Sequence, residues 1–269
     1  MKRPALFTTS WDDGHPLDLR VADLLHKHGL QGTFYVPGRV APGGSCNPDG
    51  FAVMPTPALR RLGAEFEIGS HTLDHRSLDG LPIDAARHQI VAGKRWLEDQ
   101  LGRPVAGFCY PNGHHNAAVC GLVRESGFQY GRTTEDMHAG LPADPFRMPV
   151  SLHFYPRRRV DIARGFVREE RRRLGEWRWP RRLPTFLAAV TRDDFGARFR
   201  ALVDRVCERG GVFHMWGHSW EVDRFNGWAL LDSALRYAAE RVPAEARVSN
   251  AEIARAAAPS GQIRPLMEA

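Results

Sequence analysis

Long apolar runs, paired cysteines and lysine are what this sequence is short of. No stretch approaches the roughly 20 apolar residues of a membrane-spanning helix. After the basic Met1-Lys2-Arg3 the apolar stretch lasts only from Pro4 to Phe7 before Thr8 and Thr9. A cleavable leader carries about 7–15 apolar residues, so this segment reads as a strand and a cytoplasmic location is expected. The cysteines Cys46, Cys109, Cys120 and Cys207 are scattered and include no Cys-x-x-Cys pair, which argues against a structural zinc site and against a dense disulfide framework. Of the 37 cationic side chains only Lys2, Lys27 and Lys94 are lysines, leaving 34 arginines against 31 Asp and Glu. With 43% hydrophobic and 25% charged residues, disorder, collagen and coiled coil are excluded. The 269 residues suit one large α/β barrel or two modest domains.

Short apolar runs alternate with amphipathic stretches, the pattern of repeated βα units around a mostly parallel sheet. Strands are predicted at 5–10, 33–36, 66–69, 107–110, 129–133, 150–154 and 211–216. Helices are predicted at 17–28, stopped by Gly29, and at 82–101, 115–126, 195–207 and 228–241, with Ser249 capping a last short one. The Gly/Pro/Asn-rich segment 37–55 reads as a long surface loop. No repeat or linker is visible, so a single domain over residues 1–258 is expected, with an insertion at about 155–184 and a polar tail at 259–269. Arg157, Arg158, Arg159, Arg164, Arg168, Arg171, Arg172, Arg173, Arg178, Arg181 and Arg182 crowd the insertion, with Trp177 and Trp179 among them. Interspersed Glu169, Glu170 and Glu176 favour a solvated helical face with i,i+4 pairs over an acidic-glycan or membrane contact, and over nucleic acid last.

Chemistry concentrates just past the predicted strands. Thr9-Ser10-Trp11-Asp12-Asp13-Gly14 ends the first, where α/β barrels assemble their sites. Two adjacent carboxylates suit one metal ligand and one base, and a surface turn is the plain alternative. Ser70-His71-Thr72-Leu73-Asp74-His75 follows the third. Histidines at i and i+4 share one face of a helical turn and reach one divalent ion at about 2.0–2.1 Å. A solvated helix face would give the same spacing. With a carboxylate from the first strand the set becomes Asp-His-His, three ligands with a position open to water.

Four segments together resemble the polysaccharide deacetylases, carbohydrate esterase family four, which contain the NodB homology domain. Thr9 to Gly14 is similar to that family's Thr-Phe-Asp-Asp-Gly, and His71-Thr72-Leu73-Asp74-His75 to its His-Ser/Thr-x-x-His. Phe108-Cys109-Tyr110-Pro111-Asn112-Gly113 resembles its aromatic-Arg-x-Pro-Tyr-Gly groove motif. His218-Ser219-Trp220-Glu221 resembles its late His motif. They lie in the family's order and run from about Phe7 to Glu221. The resemblance implies a distorted (β/α)7-type barrel with an Arg-rich insertion. It implies that Asp13, His71 and His75 hold one divalent metal, zinc ahead of cobalt, nickel or manganese, with Asp12 as base and His218 as acid. The backbone N–H of Asn112 becomes the oxyanion donor, and Tyr110, Pro111, Asn112 and Gly113 line the groove. The implied activity is removal of N-acetyl groups from an amino sugar or glycan.

Two departures stand out. Cys109 occupies the place of the motif Arg that steadies the base, and Arg147, in Arg147-Met148-Pro149, is the expected substitute. The family's Asp-Trp motif has no counterpart, although Arg147 to Phe154 occupies its place. His214 is read as a packed core histidine and His218 as the acid at the barrel mouth. His15, His114 and His115 are groove candidates, as loop histidines without a role would also be. Trp220 is the favoured sugar-stacking residue over Trp11 and Trp216, which suit the core. An amidohydrolase or deformylase acting on a nucleotide-linked sugar or cyclic amide is the rival reading, and a non-catalytic glycan-binding module the third. The sequence sets no oligomeric state.

Overall fold

The computed structural model describes residues 4–40, 50, 52–172, 179–192 and 194–257. Cys46, Arg173, Glu176, Trp177, Arg178, most of the expected loop at 37–55 and the expected tail at 259–269 lie outside them, as do the side chains of Arg172 and Trp179. Seven strands, β1 (Ala5–Asp12), β2 (Thr33–Val36), β3 (Glu67–Ser70), β4 (Gly107–Cys109), β5 (Tyr130–Arg132), β6 (Leu152–His153) and β7 (Gly211–Gly217), form one sheet in the order β5-β4-β3-β2-β1-β7-β6. Every pairing is parallel. Parallel strands require crossovers, and α1 (Asp18–Lys27), α2 (Thr56–Glu65), α3 (Ile83–Leu101), α4 (Ala117–Glu125), α5 (Arg159–Arg172), α6 (Trp179–Val190) and α7 (Phe195–Arg209) lie in them, while α8 (Ser219–Arg224), α9 (Trp228–Arg241) and α10 (Asn250–Ala257) follow the last strand.

This is the expected (β/α)7-type barrel, curled and incompletely closed. Residues 148–151 span the two sheet edges: Met148 donates to the Gly131 carbonyl at 2.8 Å and Ser151 to the His214 carbonyl at 2.8 Å. That crossing leaves only Leu152 and His153 to β6, where a strand at 150–154 is predicted. Helix α2 was not foreseen because its sequence, Thr-Pro-Ala-Leu-Arg-Arg-Leu-Gly-Ala-Glu, buries only Leu59, Leu62 and Gly63. No described helix is long and apolar enough to cross a membrane.

The insertion is helical as expected, but not merely a solvated face. Arg182 of α6 is 1% exposed. It donates to Asp136 and Glu169 at 3.2 and 2.6 Å and also meets Glu170, while its guanidinium lies over Phe166. A cation takes this desolvation only when carboxylates surround it, and here three of them tie α5 and α6 to the segment after β5.

The barrel end remote from the loops that follow the strands is sealed by polar groups. Asn250 donates to Tyr35 Oη at 2.9 Å and accepts from Thr8 Oγ1 at 3.0 Å. Tyr130 Oη donates to Glu67 at 2.7 Å, and burial pushes the Glu67 carboxyl up. Replacing one member leaves the others buried and unpaired, at about 1–3 kcal/mol. Asn250→Ala is therefore expected to lower the denaturant midpoint by that much in free energy without altering metal stoichiometry.

Candidate active site

The functional side chains sit at one end of the sheet because each closes or follows a strand. Asp12 ends β1, His71 follows β3, Cys109 ends β4, Arg132 ends β5, His153 ends β6 and His218 follows β7. Among the described residues, four of the six non-glycine positions with positive φ fall here: Asp13 (79°), Thr72 (68°), His75 (54°) and Asn112 (57°). Such conformations cost energy and persist where surrounding structure holds them. They also correct the helical reading of His71 and His75. Residues 71–75 form an irregular loop, and the left-handed turns at Thr72 and His75 bring the rings edge to face, 4.6 Å apart.

His71 Nε2 and His75 Nε2 lie 3.1 Å apart, with Asp13 Oδ1 at 3.7 Å from the first and 3.1 Å from the second. Ligand atoms at about 2.0–2.1 Å from a tetrahedral zinc ion would be about 3.3 Å from one another, so the set fits one divalent cation without rearrangement. Asp13 Oδ1 is buried and makes no well-formed hydrogen bond. Two further atoms of the set are already committed: Trp220 Nε1 donates to Asp13 Oδ2 at 3.0 Å, and His71 Nδ1 donates to the Cys109 carbonyl at 2.8 Å. These bonds fix the His71 tautomer and turn both ligands inward. Burial opposes ionisation of Asp13, but His218, His75 and His71 hold its carboxyl well below the usual carboxylate range. Burial, with His75 alongside, pushes His71 down to about 4, which leaves it neutral and able to ligate. Asp12, His71 and Cys109 also cluster, yet burial pushes the Cys109 thiol up, so it stays protonated and ligates poorly.

Asp12 is 3% exposed, and its partner is Arg132, which is fully buried and pairs with Oδ1. Burial raises the Asp12 carboxyl, but Arg132 first, then His71 and His218, bring it below its ordinary value. The Cys109 thiol donates weakly to Oδ2 at 3.7 Å. The expectation that Arg147 replaces the motif arginine is thus wrong. Arg147 Nε reaches His115 at 3.3 Å instead. Arg132 is the register partner of Cys109 across β4 and β5, so the cation has moved one strand sideways and kept its place beside the carboxylate. An arginine at the end of a predicted strand was the signal available in the sequence.

On the far side, His218 Nδ1 donates to Glu221 Oε2 at 2.6 Å while its Nε2 lies 3.8 Å from Asp13. Burial disfavours the imidazolium, yet Asp13 and Glu221 push His218 up to about 9. Glu221 also accepts from His153 Nε2 at 3.0 Å, and His153 Nδ1 accepts from Arg157 at 3.0 Å. A carboxylate can only accept and a guanidinium only donate, which assigns the neutral His153 tautomer; burial pushes that ring down to about 4. Glu221 is thus the carboxylate shared by His218 and His153. His214 is 2% exposed with Nε2 against Ser10 Oγ at 2.8 Å, a core histidine as expected.

A cavity of about 470 Å³ joins these groups, and Asn112, Gly113, His114, Trp216 and Trp220 are among its walls. Tyr110 and Pro111 are buried and do not line it; Tyr110 Oη turns away to the Phe146 carbonyl at 2.9 Å. His15 and His115 also lie outside its lining, the first accepting from the Leu17 N–H at 3.0 Å and the second 3.5 Å from Glu135. Trp11 is wholly buried, and Trp216 stacks on His153 at 4.1 Å. Titration with zinc is expected to give one equivalent bound per chain, abolished by His75→Ala. Trp220→Phe, which removes only the bond to Asp13, is expected to weaken affinity about 10–100-fold by calorimetry.

Comparison with known proteins agrees with this geometry. The profile of the family described as polysaccharide deacetylase matches residues 2–131. An uncharacterized protein of Streptomyces coelicolor is 32% identical over 45% of this chain and 46% of its own length. A peptidoglycan-N-acetylglucosamine deacetylase of Bacillus cereus is 29% identical over 41% and 46%. The aligned segments thus span just under half of these curated relatives. The chitin deacetylase of the fungal pathogen Colletotrichum lindemuthianum shares the fold, with a TM-score of 0.56 at 15% identity over 93% of this chain and 88% of that one. The match over residues 2–131, just under half of the chain, makes that segment similar to the polysaccharide deacetylase family, and the parallel sheet carrying it has the fold of the solved deacetylase.

Proposed function

We propose that the protein is a metal-dependent hydrolase that removes N-acetyl groups from an amino sugar or glycan. The observation that carries this reading is the opposition of an ionised Asp12, locked by Arg132, and a protonated His218, locked by Glu221, across the Asp13, His71 and His75 set. A divalent ion held by those three residues, zinc by the character of the donors, would supply Lewis acidity to the acetamide carbonyl and lower the pKa of water. Asp12, with Oδ1 engaged by Arg132, takes the proton of the attacking water through its remaining carboxylate capacity. The backbone N–H of Asn112, a residue of the cavity wall, is the oxyanion donor. His218 gives its Nε2 proton to the departing amine, which would otherwise leave as a poor anion, and Glu221 stabilises the ring's charge before that transfer.

The deacetylase name of the Bacillus cereus relative supports this reading over a deformylase or cyclic amidohydrolase. The pairing of Asp12 with Arg132 and of His218 with Glu221 around a possible ligand set speaks against a binding module. Acetate release across chitin oligomers and nucleotide-linked acetamido sugars tests the reaction, and its absence throughout would sink the proposal. Asp12→Asn is expected to retain metal and lose about 10²–10⁴ in turnover. His218→Ala should lose as much on acetamides yet little on an activated acetate ester, whose leaving group needs no proton; equal losses would reject the acid role. Arg132→Met strands a buried carboxylate at about 3–5 kcal/mol and should cost activity as well. The exchanged pair Cys109→Arg with Arg132→Cys is expected to recover both, measured as unfolding midpoint and kcat.

A further inference from the structure

The cavity continues past the reacting groups to the inner face of α5, and its walls there include Asp136, Arg157, Gly165, Arg168 and Glu169. Gly165 lies inside a 14-residue helix. A glycine there weakens the helix by backbone entropy and offers no side chain to pack, so its usual justification is a neighbour too close for a Cβ. Among the described residues there is no such neighbour: a Cβ built on Gly165 meets nothing within 4 Å. What Gly165 faces is the cavity.

The surroundings indicate what belongs against it. Arg157 lies 3.6 Å from Asp136, and Arg182 binds Asp136 and Glu169 at 3.2 and 2.6 Å, so these charges are spent on one another. Among the described residues Arg168 has no carboxylate partner, and its donors are left for a ligand's oxygens. The wall is also pre-formed, because Arg182 is buried and Phe166 stacks on Phe186 at 4.2 Å. A flat backbone patch beside one free guanidinium suits a neutral, hydroxyl-rich ring. The cavity of about 470 Å³ holds more than one acetylated sugar.

Resting on the deacetylase reading above, we propose that α5 forms a second sugar subsite, with the ring adjoining the acetylated one seated on Gly165 and hydrogen-bonded by Arg168. The substrate class is then a neutral amino-sugar saccharide of two or more rings.

The test uses the zinc-loaded full chain and the variant Gly165→Leu, which improves helix propensity and grows into open space, so that its unfolding midpoint should not fall. Its kcat/KM for N,N′-diacetylchitobiose is expected to drop about tenfold or more through KM, while that for 4-methylumbelliferyl acetate changes less than about twofold. Arg168→Ala should show a smaller loss of the same kind. Calorimetry on the Asp12→Asn background should show the matching loss of disaccharide affinity. Unchanged kinetics on both substrates, or equal losses on both, would overturn the subsite. Absence of acetate release by the unmodified chain on every acetamido sugar would instead overturn the deacetylase reading, so the two failures are distinguishable.

Discussion

The buried ion pair between Asp12 and Arg132 is the interaction on which the site depends. A carboxylate that is 3% exposed would neutralise itself if left alone, and a neutral carboxyl cannot accept a proton. Arg132 supplies the opposing charge from β5, four strands along the sheet from β1, and the guanidinium is wedged between the faces of Tyr35 and Trp216 at 5.0 and 5.1 Å. Those rings solvate the part of the cation that makes no hydrogen bond. With Asp12 pinned, the next residue, Asp13, is free to turn its carboxylate toward the histidines, and the strained backbone at position 13 is the local cost of giving neighbours opposite duties.

Most of the scaffold could be read directly. Apolar runs such as Thr33 to Val36 and amphipathic periods such as Trp228 to Arg241 have the observed boundaries, because their burial follows from local pattern. The strand-end placement of Asp12, Asp13, His71, His75 and His218 was legible for the same reason: a parallel sheet sends the ends of all its strands to one face. Other features depend on register or on distant partners. The pairing of Cys109 with Arg132 is set by how two strands align, and nothing within either segment announces it. The loop at His71 to His75 has the spacing of a helix, yet its left-handed residues are dictated by contacts with Val36 and Gln89 backbone groups. Helix α2 was missed because three buried positions out of ten give too faint a period.

Electrostatically the site is built as opposed chains of partners. Arg157, His153 and Glu221 lead inward to His218, alternating donor and acceptor so that each ring nitrogen has one assignment. Arg132 and Cys109 lead inward to Asp12. Each chain begins on an arginine, whose guanidinium donates to the next member, His153 in one and Asp12 in the other.

The buried Arg182 makes the two added helices part of the barrel in a way that bears on how related chains can differ. Asp136 is largely withdrawn from water, its carboxyl pushed up by burial despite Arg157 and Arg182. A chain that had lost α5 and α6 would leave that aspartate without Arg182, its hydrogen-bonded cation, and the loss would favour a neutral residue at 136. Presence of the helices and acidity at this one position should therefore rise and fall together among homologues, so that a single site in an alignment reports whether the cleft has this wall.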